Sequence, residues 1–381
     1  MKKYIYIQIL LLLVLFQNSM AENGITDDEI LLGQSCALTG PAEELGKGMK
    51  AGLMAYFNQI NEKGGIYGRK IKLISLDDGY EPDRAIQNTR QLIDEYKVFL
   101  LIGEVGTPTS QAVVPIAEER SIPFVGPFTG AEFLRNPFKK YVINVRASYF
   151  QEMEKLAQYL VDQKGLKKIA CFYQNDGYGL AGFKGIELAL QKRGLELVST
   201  GTYERNTIAV KTGLLKIRNN QPQAVVMVGA YKPCAKFIKL TKKINMHDVI
   251  FCNISFVGSD ALLKELGSDG EGCIISQVVP HPQKTTSQLV QDYIEDMKKQ
   301  QSEDEINFVS LEGYIVAKLF CLTAEKNGKE ITRESFLSTI TNTGEFNLEG
   351  QKLKYGPSDN QGMDKVYLTI IKNETIVPIE D

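Results

Sequence analysis

The chain has 381 residues, and its 44 Lys and Arg nearly balance its 46 Asp and Glu, for a formal net charge of −2. This balance gives no strong field toward nucleic acid or anionic lipid and argues against those classes of partner. The six cysteines contain no CxxC pair, and neither histidine stands at metal-ligand spacing, so we expect no metal and no cofactor.

The first residues have the pattern of a secretory signal peptide. Lys2 and Lys3 precede an apolar run over 4–16, and small residues occupy both cleavage-determining positions of 19–21. An N-terminal membrane anchor is the alternative, but the run is shorter than the ~20 residues that span a bilayer. We therefore expect cleavage after Ala21 and export of a soluble, monomeric protein across the inner membrane into the periplasm.

Strand-like and helix-like segments alternate along the rest of the chain. The predicted strands cover 29–38, 70–77, 98–103, 123–126, 168–174, 196–203, 223–229, 249–252, 272–279, 365–371 and 374–378. The predicted helices cover 41–62, 82–96, 108–120, 148–164, 179–194, 208–219, 231–244, 259–266, 286–299, 307–327 and 332–341. This alternation predicts an α/β protein whose parallel sheets carry helices on both faces. The strands suffice for two doubly wound lobes, which we assign to 22–145 with 280–354 and to 146–279 with 355–381.

Ligands of open parallel sheets bind beyond the carboxyl ends of the strands, so the strand-to-helix loops are the candidate site. In GEVGTPTSQAVVPIAEE, which begins at Gly103, Pro108 suits the first helical position and leaves Thr107 as the N-cap. The hydroxyls of Thr107, Thr109 and Ser110 would then converge where free N–H groups and the helix dipole favour an anion. Ordinary capping, which needs one hydroxyl, is the alternative to a carboxylate site.

The sequence of several segments is more specific than this pattern. NEKGGIYGRKIKL, over residues 61–73, connects a helix to a strand through glycines that can end the helix. Together with VINVRASYFQE, SFVGSD, SQVVPHP and SDNQGMDKVYLTII, it resembles the leucine/isoleucine/valine-binding family of periplasmic binding proteins over essentially the whole mature chain.

This resemblance implies a fold and a function. The fold would be that of a type I periplasmic binding protein, with two doubly wound parallel-sheet lobes joined by a three-strand hinge. The protein would not be an enzyme. It would bind a small-molecule ligand in the interlobe cleft, close about its hinge and deliver the ligand to the membrane permease of an ABC importer.

The resemblance also assigns residues to the cleft. In the family, the loop at Thr107 grips the ligand carboxylate and carries a hydroxyl at that position. The residues that match the family's other ligand contacts are Phe128, Thr129, Gly130, Tyr178 and Tyr231. Tyr314, in LEGYIVAK, is expected at the cleft rim.

One position departs from the family's pattern. Amino-acid binders carry a glutamate that pairs with the ligand ammonium where this chain has Ser255. Because a buried ammonium without a counter-charge is costly, either another carboxylate replaces that glutamate or the ligand lacks an ammonium. Glu104, Asp78 and Asp176 fall near strand ends and are the candidate replacements. The predicted ligand is therefore a small carboxylate, either an amino acid or amino-acid-like solute or an apolar or aromatic acid without an ammonium.

Other interpretations of the sequence are weaker. GYGLAG, from Gly177, matches the GxGxxG of nucleotide-dependent enzymes, although residues 174–176 separate it from the preceding strand. A ligand-sensing subunit for a membrane receptor would have the same cleft as an importer subunit. An oxidising compartment allows disulfides, and Cys252 and Cys273, which each lie in an apolar strand-like segment, are the first pair to test for one.

Overall fold

The structure, a computed structural model, describes residues 22–380 apart from 245, 247, 285 and 301–305. The predicted signal peptide over 1–21 therefore lies outside the described residues. Within them, no helix combines the length and the apolar character that crossing a bilayer requires.

The strands form two large sheets and one separate hairpin. The strands are β1 (Glu29–Cys36), β2 (Lys70–Asp77), β3 (Leu100–Ile102), β4 (Phe124–Val125), β5 (Val142–Ile143), β6 (Ile169–Gln174), β7 (Ser199–Tyr203), β8 (Ala224–Val228), β9 (Ile250–Asn253), β10 (Ile274–Gln277), β11 (Glu345–Leu348), β12 (Gln351–Lys354), β13 (Tyr367–Lys372) and β14 (Thr375–Pro378).

Helices alternate with these strands along the chain. They are α1 (Glu43–Glu62), α2 (Pro82–Asp94), α3 (Thr107–Glu119), α4 (Tyr149–Ala157), α5 (Gly177–Gln191), α6 (Lys211–Arg218), α7 (Tyr231–Lys242), α8 (Ser259–Leu266), α9 (Gln288–Lys299), α10 (Phe308–Asn327) and α11 (Arg333–Thr343). Short 3-10 turns lie at Glu132–Leu134, Ser255–Val257 and Gly267–Gly270, and a π-helical segment at Gln158–Gln163 extends α4.

The first sheet has five parallel strands in the order β2-β1-β3-β4-β5. Helices cover both of its faces, which explains why a central strand such as β3 is wholly buried. On one face α1 packs against α10, so closely that a Cβ at Gly52 would lie 1.8 Å from the carbonyl oxygen of Ser310. On the other face α2 packs against α3 around Leu92 and Val113. We call this sheet with its helices the first lobe.

The second sheet has seven strands in the order β14-β13-β10-β9-β8-β6-β7. Its strands from β10 to β7 are parallel, and β13 and β14 add an antiparallel edge. Helix α4 packs against α5, and α7 packs against α8. We call this sheet with its helices the second lobe.

The chain passes between the two sheets three times, after β5, after β10 and after β12. The first and third passages are hydrogen-bonded to each other. The N–H of Asn144 donates to the carbonyl of Asn360 at 2.8 Å, and the N–H of Gly362 donates to the carbonyl of Asn144 at 2.9 Å. The predicted architecture, an α/β protein with two parallel-sheet lobes joined by three passages of the chain, is confirmed.

Local differences from the sequence prediction have simple causes. The two-residue strand β5 is too short to give a periodic signal, and its place in the sheet comes from pairing with β4. The predicted helix over 148–164 changes to π-helical geometry at Gln158. π-helical geometry is rare and appears mostly as short segments within α-helices, so a helical periodicity does not predict it.

The suggested disulfide does not form, because the strand register separates the two cysteines. Cys252 on β9 pairs with Ile274 on β10, so Cys273 stands one residue out of register. Successive side chains of a strand point to opposite faces of the sheet. Both cysteines are buried free thiols, and Asn253 donates to the sulfur of Cys273 at 3.2 Å.

Candidate ligand-binding cleft

The loops at the carboxyl ends of the two sheets meet between the lobes through aromatic rings. Phe256, after β9 in the second lobe, packs its ring against Phe128 and Tyr80 of the first lobe, with centroid distances of 5.4 Å and 6.0 Å. Tyr178, at the start of α5, packs against Phe256 at 4.5 Å and against Tyr149, at the start of α4, at 5.6 Å. The cleft therefore has aromatic walls from both lobes, and the lobes touch across it.

A cluster of three buried hydroxyls lies where these loops meet. The Thr107 Oγ1 lies 2.6 Å from the Thr129 Oγ1 and 3.5 Å from the Tyr149 hydroxyl, and Thr129 donates to Tyr149 at 3.2 Å. We call Thr107, Thr129 and Tyr149 the hydroxyl cluster. Thr107 and Thr129 come from the first lobe and Tyr149 from the second, so this cluster joins the two lobes.

The start of α3 differs from the prediction in one respect. Gly106, not Thr107, is the N-cap, and no side chain caps the helix. The φ of Gly106 is 116°, a region that favours glycine. A Cβ at Gly106 would also lie 2.3 Å from the ring of Tyr80. The hydroxyl of Thr107 is therefore left free of capping and faces Thr129.

Two of the predicted hydroxyls do not join the hydroxyl cluster. Thr109 donates back to the carbonyls of Val105 and Gly106, at 2.7 Å and 3.0 Å, and so satisfies the backbone that precedes its own helix. The Ser110 hydroxyl is buried and has no hydrogen-bond partner among the described residues. Convergence of the three hydroxyls was a wrong expectation, because consecutive helical residues point in different directions around the axis.

The second loop positions Tyr149. The carbonyl of Gly130 accepts from the N–H of Tyr149 at 2.7 Å, and a Cβ at Gly130 would lie 2.6 Å from the Tyr149 ring. Only glycine allows this approach. Ser148 caps α4 in a capping box with Gln151, which fixes Tyr149 as the first helical residue. The sequence S-x-x-Q carries that signal, but the role of Tyr149 in the cleft was not predicted.

The predicted tyrosines have different positions. Tyr178 is buried at the centre of the cleft, and its hydroxyl donates to the carbonyl of Gly229 at 3.4 Å. Tyr231 is buried beside Glu44 of α1; burial raises its pKa, and the Glu44 backbone opposes that effect. Tyr314 is not at the cleft rim, since it donates to Asp296 at 2.7 Å within the packing of α9 against α10.

Ser255 lies in a buried group of charged side chains that no motif of the sequence indicates. The Nη2 of Arg146 donates to the Ser255 hydroxyl. Glu152, on α4, accepts from the Ser255 N–H at 2.8 Å, the Ser255 hydroxyl at 3.0 Å and Ser276 at 2.6 Å. The Arg146 guanidinium lies 3.7 Å from Glu152 and 3.6 Å from Glu312, on α10 of the first lobe. We call Arg146, Glu152, Glu312 and Ser255 the charge cluster.

The charge cluster is part of the cleft wall. The guanidinium carbon of Arg146 lies 4.6 Å from the centre of the Phe128 ring, which itself packs against Phe256. Phe128, Ser255 and Glu312 together line a small cavity of about 10 Å³. The position where amino-acid binders carry a glutamate thus has a carboxylate supplied by Glu152, already paired with a cation of the protein.

Burial and charge set the pKa values in the charge cluster. Burial raises the pKa of Glu312 to about 7, with Arg146 lowering it and Glu152 raising it. Burial also raises the pKa of Glu152, although Arg146 and three hydrogen bonds oppose it. Burial lowers the pKa of Arg146, but the Glu312 and Glu152 carboxylates outweigh that effect and the net shift is upward.

The three other carboxylates considered as partners of a ligand ammonium either accept hydrogen bonds from nearby residues of the protein or are buried where ionisation is unfavourable. Asp176 caps α5 by accepting from the Tyr178 N–H at 3.0 Å. Asp78 accepts from Ser35 and from the Tyr80 N–H, and burial raises its pKa to about 6. Glu104 is buried, and one of its oxygens has no hydrogen-bond partner in the described part of the chain; burial raises its pKa well above the usual range.

At one rim of the cleft, polar side chains connect the lobes. Arg205, after β7, donates to Glu81 at 2.9 Å, and Asn206 donates to Glu81 at 2.6 Å and to the carbonyl of Gly79 at 3.1 Å. Glu81 and Gly79 precede α2 in the first lobe. We call Glu81, Arg205 and Asn206 the rim latch, since these contacts exist only while the lobes are together.

The glycines of GYGLAG serve packing rather than phosphate binding. A Cβ at Gly179 would lie 1.7 Å from the carbonyl oxygen of Gln174, and a Cβ at Gly182 would lie 2.6 Å from Val228 on β8. They therefore let α5 approach the sheet closely. Within the described part of the chain, no group of His, Cys, Asp or Glu side chains could hold a metal ion.

The raised pKa of Glu312 predicts a pH-dependent stability. A carboxyl with a raised folded-state pKa stabilises the fold below its unfolded pKa and loses that contribution as pH rises through the folded value. We expect the free energy of unfolding to fall between pH 5 and pH 8, by as much as about 3 kcal/mol from Glu312. Urea titrations at both pH values measure it.

Two variants isolate this contribution. Glu312→Gln removes the titrating group and should reduce the loss of stability between pH 5 and pH 8. Glu325→Gln changes an exposed residue of the same helix and should leave the wild-type pH dependence intact. Equal pH dependence in Glu312→Gln and the wild type would contradict the assignment.

Comparisons with known proteins agree with this architecture. The family description "Periplasmic binding protein" matches residues 29–375. The crystal structure of a possible leucine/isoleucine/valine-binding protein from Rhodopirellula baltica SH 1 superposes with a TM-score of 0.89 and is 38% identical, covering 93% of this chain and 97% of that one.

Curated relatives give the same family. The Leu/Ile/Val-binding protein homolog 7 of Brucella abortus (strain 2308) is 27% identical over 220 residues, 55% of each chain. This chain thus spans about half the length of the Brucella relative. The Leu/Ile/Val/Thr-binding protein of Salmonella typhimurium is 20% identical over 275 residues, 72% of this chain and 75% of that one.

These matches exclude the nucleotide-dependent enzyme suggested by GYGLAG, and they confirm the resemblance seen in the sequence. The chain belongs to the periplasmic binding protein family, whose members are solute-binding proteins and not enzymes.

Proposed function

We propose that this chain is the exported solute-binding protein of an ABC importer and binds a small carboxylate-bearing solute between its lobes. The lobes comprise 22–145 with 280–354 and 146–279 with 355–381, and the signal peptide is removed after Ala21. The protein works as a monomer in the periplasm. It closes about its hinge on the solute and presents the closed form to a membrane permease.

The hydroxyl cluster carries this proposal. Thr107 stands at the start of α3, where unpaired N–H groups and the helix dipole favour an anion. Thr129 and Tyr149 bring two further hydroxyls within 3.5 Å of it. Because Tyr149 comes from the second lobe, a carboxylate held here would contact both lobes, and its binding energy would favour closure.

The charge cluster supports a ligand without an ammonium. Arg146 is the cation that pairs with Glu152, and Glu152 accepts its three hydrogen bonds from Ser255 and Ser276. Glu152 therefore does not need a ligand ammonium as its partner. An ammonium near Ser255 would lie close to the buried guanidinium, and like charges in such a place repel strongly. Branched-chain amino acids are the alternative ligands, because the relatives are named as Leu/Ile/Val-binding and Leu/Ile/Val/Thr-binding proteins.

A first prediction compares amino acids with their deaminated analogues. We expect 4-methylpentanoate and 3-phenylpropanoate to raise the melting temperature more than leucine and phenylalanine do, because the acids keep the carboxylate contact and bring no second cation. A thermal-shift screen of such pairs measures this. Micromolar or tighter binding of leucine, with no rise in melting temperature on addition of 4-methylpentanoate, would contradict the proposed ligand class.

A second prediction concerns the hydroxyl cluster. Thr107→Val should weaken binding of the best acid from that screen by roughly 1–3 kcal/mol, because a buried anion loses a hydrogen-bond donor. Thr323→Val is the matched control, since Thr323 is also buried but donates to the carbonyl of Leu319 in its own helix. Calorimetry that gave the same affinity for both variants would show that the carboxylate binds elsewhere.

A third prediction concerns closure. Arg205→Ala removes one arm of the rim latch and the contact of Arg205 with Asp176 at 3.2 Å, and it touches neither the hydroxyl cluster nor the charge cluster. We expect a larger radius of gyration for the unliganded protein by X-ray scattering and a weaker affinity, by about 1 kcal/mol or about fivefold in Kd. The cause is a smaller population of the closed form.

The control for this experiment is Arg120→Ala. Arg120 pairs with Asp94 at 3.0 Å, and both belong to the first lobe. Its removal should change neither scattering nor affinity. If Arg205→Ala behaved like Arg120→Ala, the rim latch would have no part in closure.

A further inference from the structure

The buried Arg146 has hydrogen-bond donors that nothing in the described chain accepts. Its Nη2 donates to Ser255, but its Nε and Nη1 have no hydrogen-bond partner, and the side chain is 0% exposed. Glu152 and Glu312 are close enough for charge pairing, at 3.7 Å and 3.6 Å, but too far for good hydrogen bonds. Unpaired buried donors of a charged group are costly, so an acceptor is expected beside them.

The two carboxylates differ in how firmly they are held. Glu152 accepts three hydrogen bonds from Ser255 and Ser276. Among the described residues, none donates a hydrogen bond to Glu312, which lines the small cavity beside Phe128 and Ser255. Glu312 is therefore the carboxylate that an incoming anion can replace as the partner of Arg146.

The surroundings of Arg146 also fix its place relative to the hydroxyl cluster. One face of the guanidinium lies on the Phe128 ring, and Phe128 directly precedes Thr129 of the hydroxyl cluster. The Phe128 ring also packs against Phe256, which contacts Tyr178, and Tyr178 packs against Tyr149 of the hydroxyl cluster. The aromatic walls of the cleft thus extend from the hydroxyl cluster to Arg146.

We propose that Arg146 binds a second anionic group of the solute, so that the ligand is a small dicarboxylate held by the hydroxyl cluster at one end and by Arg146 at the other. This inference rests on the proposed function and names its ligand class. A carboxylate accepts charge-assisted hydrogen bonds from the free N–H groups of Arg146, which are stronger than those to a neutral acceptor.

Binding of the second carboxylate is coupled to a proton on Glu312. The groups that act on Glu312 are Arg146, Glu152 from α4 and Arg135 from the segment before β5. When Glu312 is protonated it is neutral, and Arg146 is free to pair with the ligand carboxylate. When Glu312 is ionised, it competes with the ligand carboxylate for Arg146. The second carboxyl of a diacid titrates above the first but below pH 6, so the ligand is mostly a dianion from pH 6 to pH 8 and Glu312 is the group that changes most over this range. The affinity for a dicarboxylate therefore falls as pH rises through this range.

Calorimetry with the mature chain tests this proposal. The probes are succinate, glutarate and adipate, each compared with its half-amide, which keeps the length but has one carboxylate. At pH 6 the best-fitting diacid should bind at least tenfold more tightly than its half-amide. Its affinity should fall several-fold by pH 8, whereas that of the half-amide should not.

Two variants separate this role from a structural one. Arg146→Lys keeps the charge but loses the planar set of donors, and it should lower the affinity for the diacid about tenfold or more. Glu312→Gln removes the competing anion, so it should strengthen diacid binding at pH 8 and flatten its pH dependence. This gain of affinity cannot result from misfolding. Arg120→Lys, at the exposed pair with Asp94, is the control and should change neither the affinity for the diacid nor its pH dependence.

Three results would overturn the proposal: diacids that bind no better than their half-amides, no diacid that binds at all, or an unchanged pH dependence in Glu312→Gln. The proposed function fails on a different result. If monocarboxylates bind and lose affinity in Thr107→Val, the carboxylate site stands and only the second anion site is wrong.

Discussion

The structure depends on one costly constraint, a guanidinium buried between two lobes. A buried charge is tolerated only when carboxylates and hydrogen bonds compensate it. Arg146 follows the first passage between the sheets, and its compensation comes from Glu152 on α4 and Glu312 on α10. Since α4 belongs to the second lobe and α10 to the first, the same charge balance that permits the burial also ties the lobes together at the hinge.

The remaining cleft features can be understood from this arrangement. The charge cluster fixes Phe128 from one side through the stacked guanidinium, and Phe256 packs on it from the second lobe. The hydroxyl cluster lies next to Phe128 through Thr129 and takes its third hydroxyl from Tyr149. The rim latch joins the lobes by exposed polar contacts, which are weak enough to open. A solute can thus shift the lobe equilibrium by a modest binding energy.

The sequence predicted the elements and the fold well because these depend on local periodicity and on glycine stops such as that at 61–73. It also predicted Thr107 and Thr129, since the resemblance matched loops at strand ends. It failed for Thr109, whose hydroxyl returns to its own backbone, and for Tyr314, which packs between helices. Whether the predicted residues bind a ligand stays a prediction.

The charge cluster could not be predicted from the sequence. Arg146, Glu152, Ser255 and Glu312 come together only through the assembly of both lobes, and no local pattern relates their positions. Ser255 stands where the family pattern has a glutamate, which suggested that a carboxylate is missing there. Glu152, from α4, supplies a carboxylate to the same place. A departure at one position of a family pattern therefore has to be judged with its spatial neighbours.

Native mass spectrometry of the protein purified from the periplasm tests the central claim most directly, which is that the site supplies its own cation. A co-purified molecule should be released on denaturation and identified as an acid with no amine, best of all with two carboxyl groups. Release of a branched-chain amino acid, identified by its mass and by reaction with an amine reagent, would contradict the account.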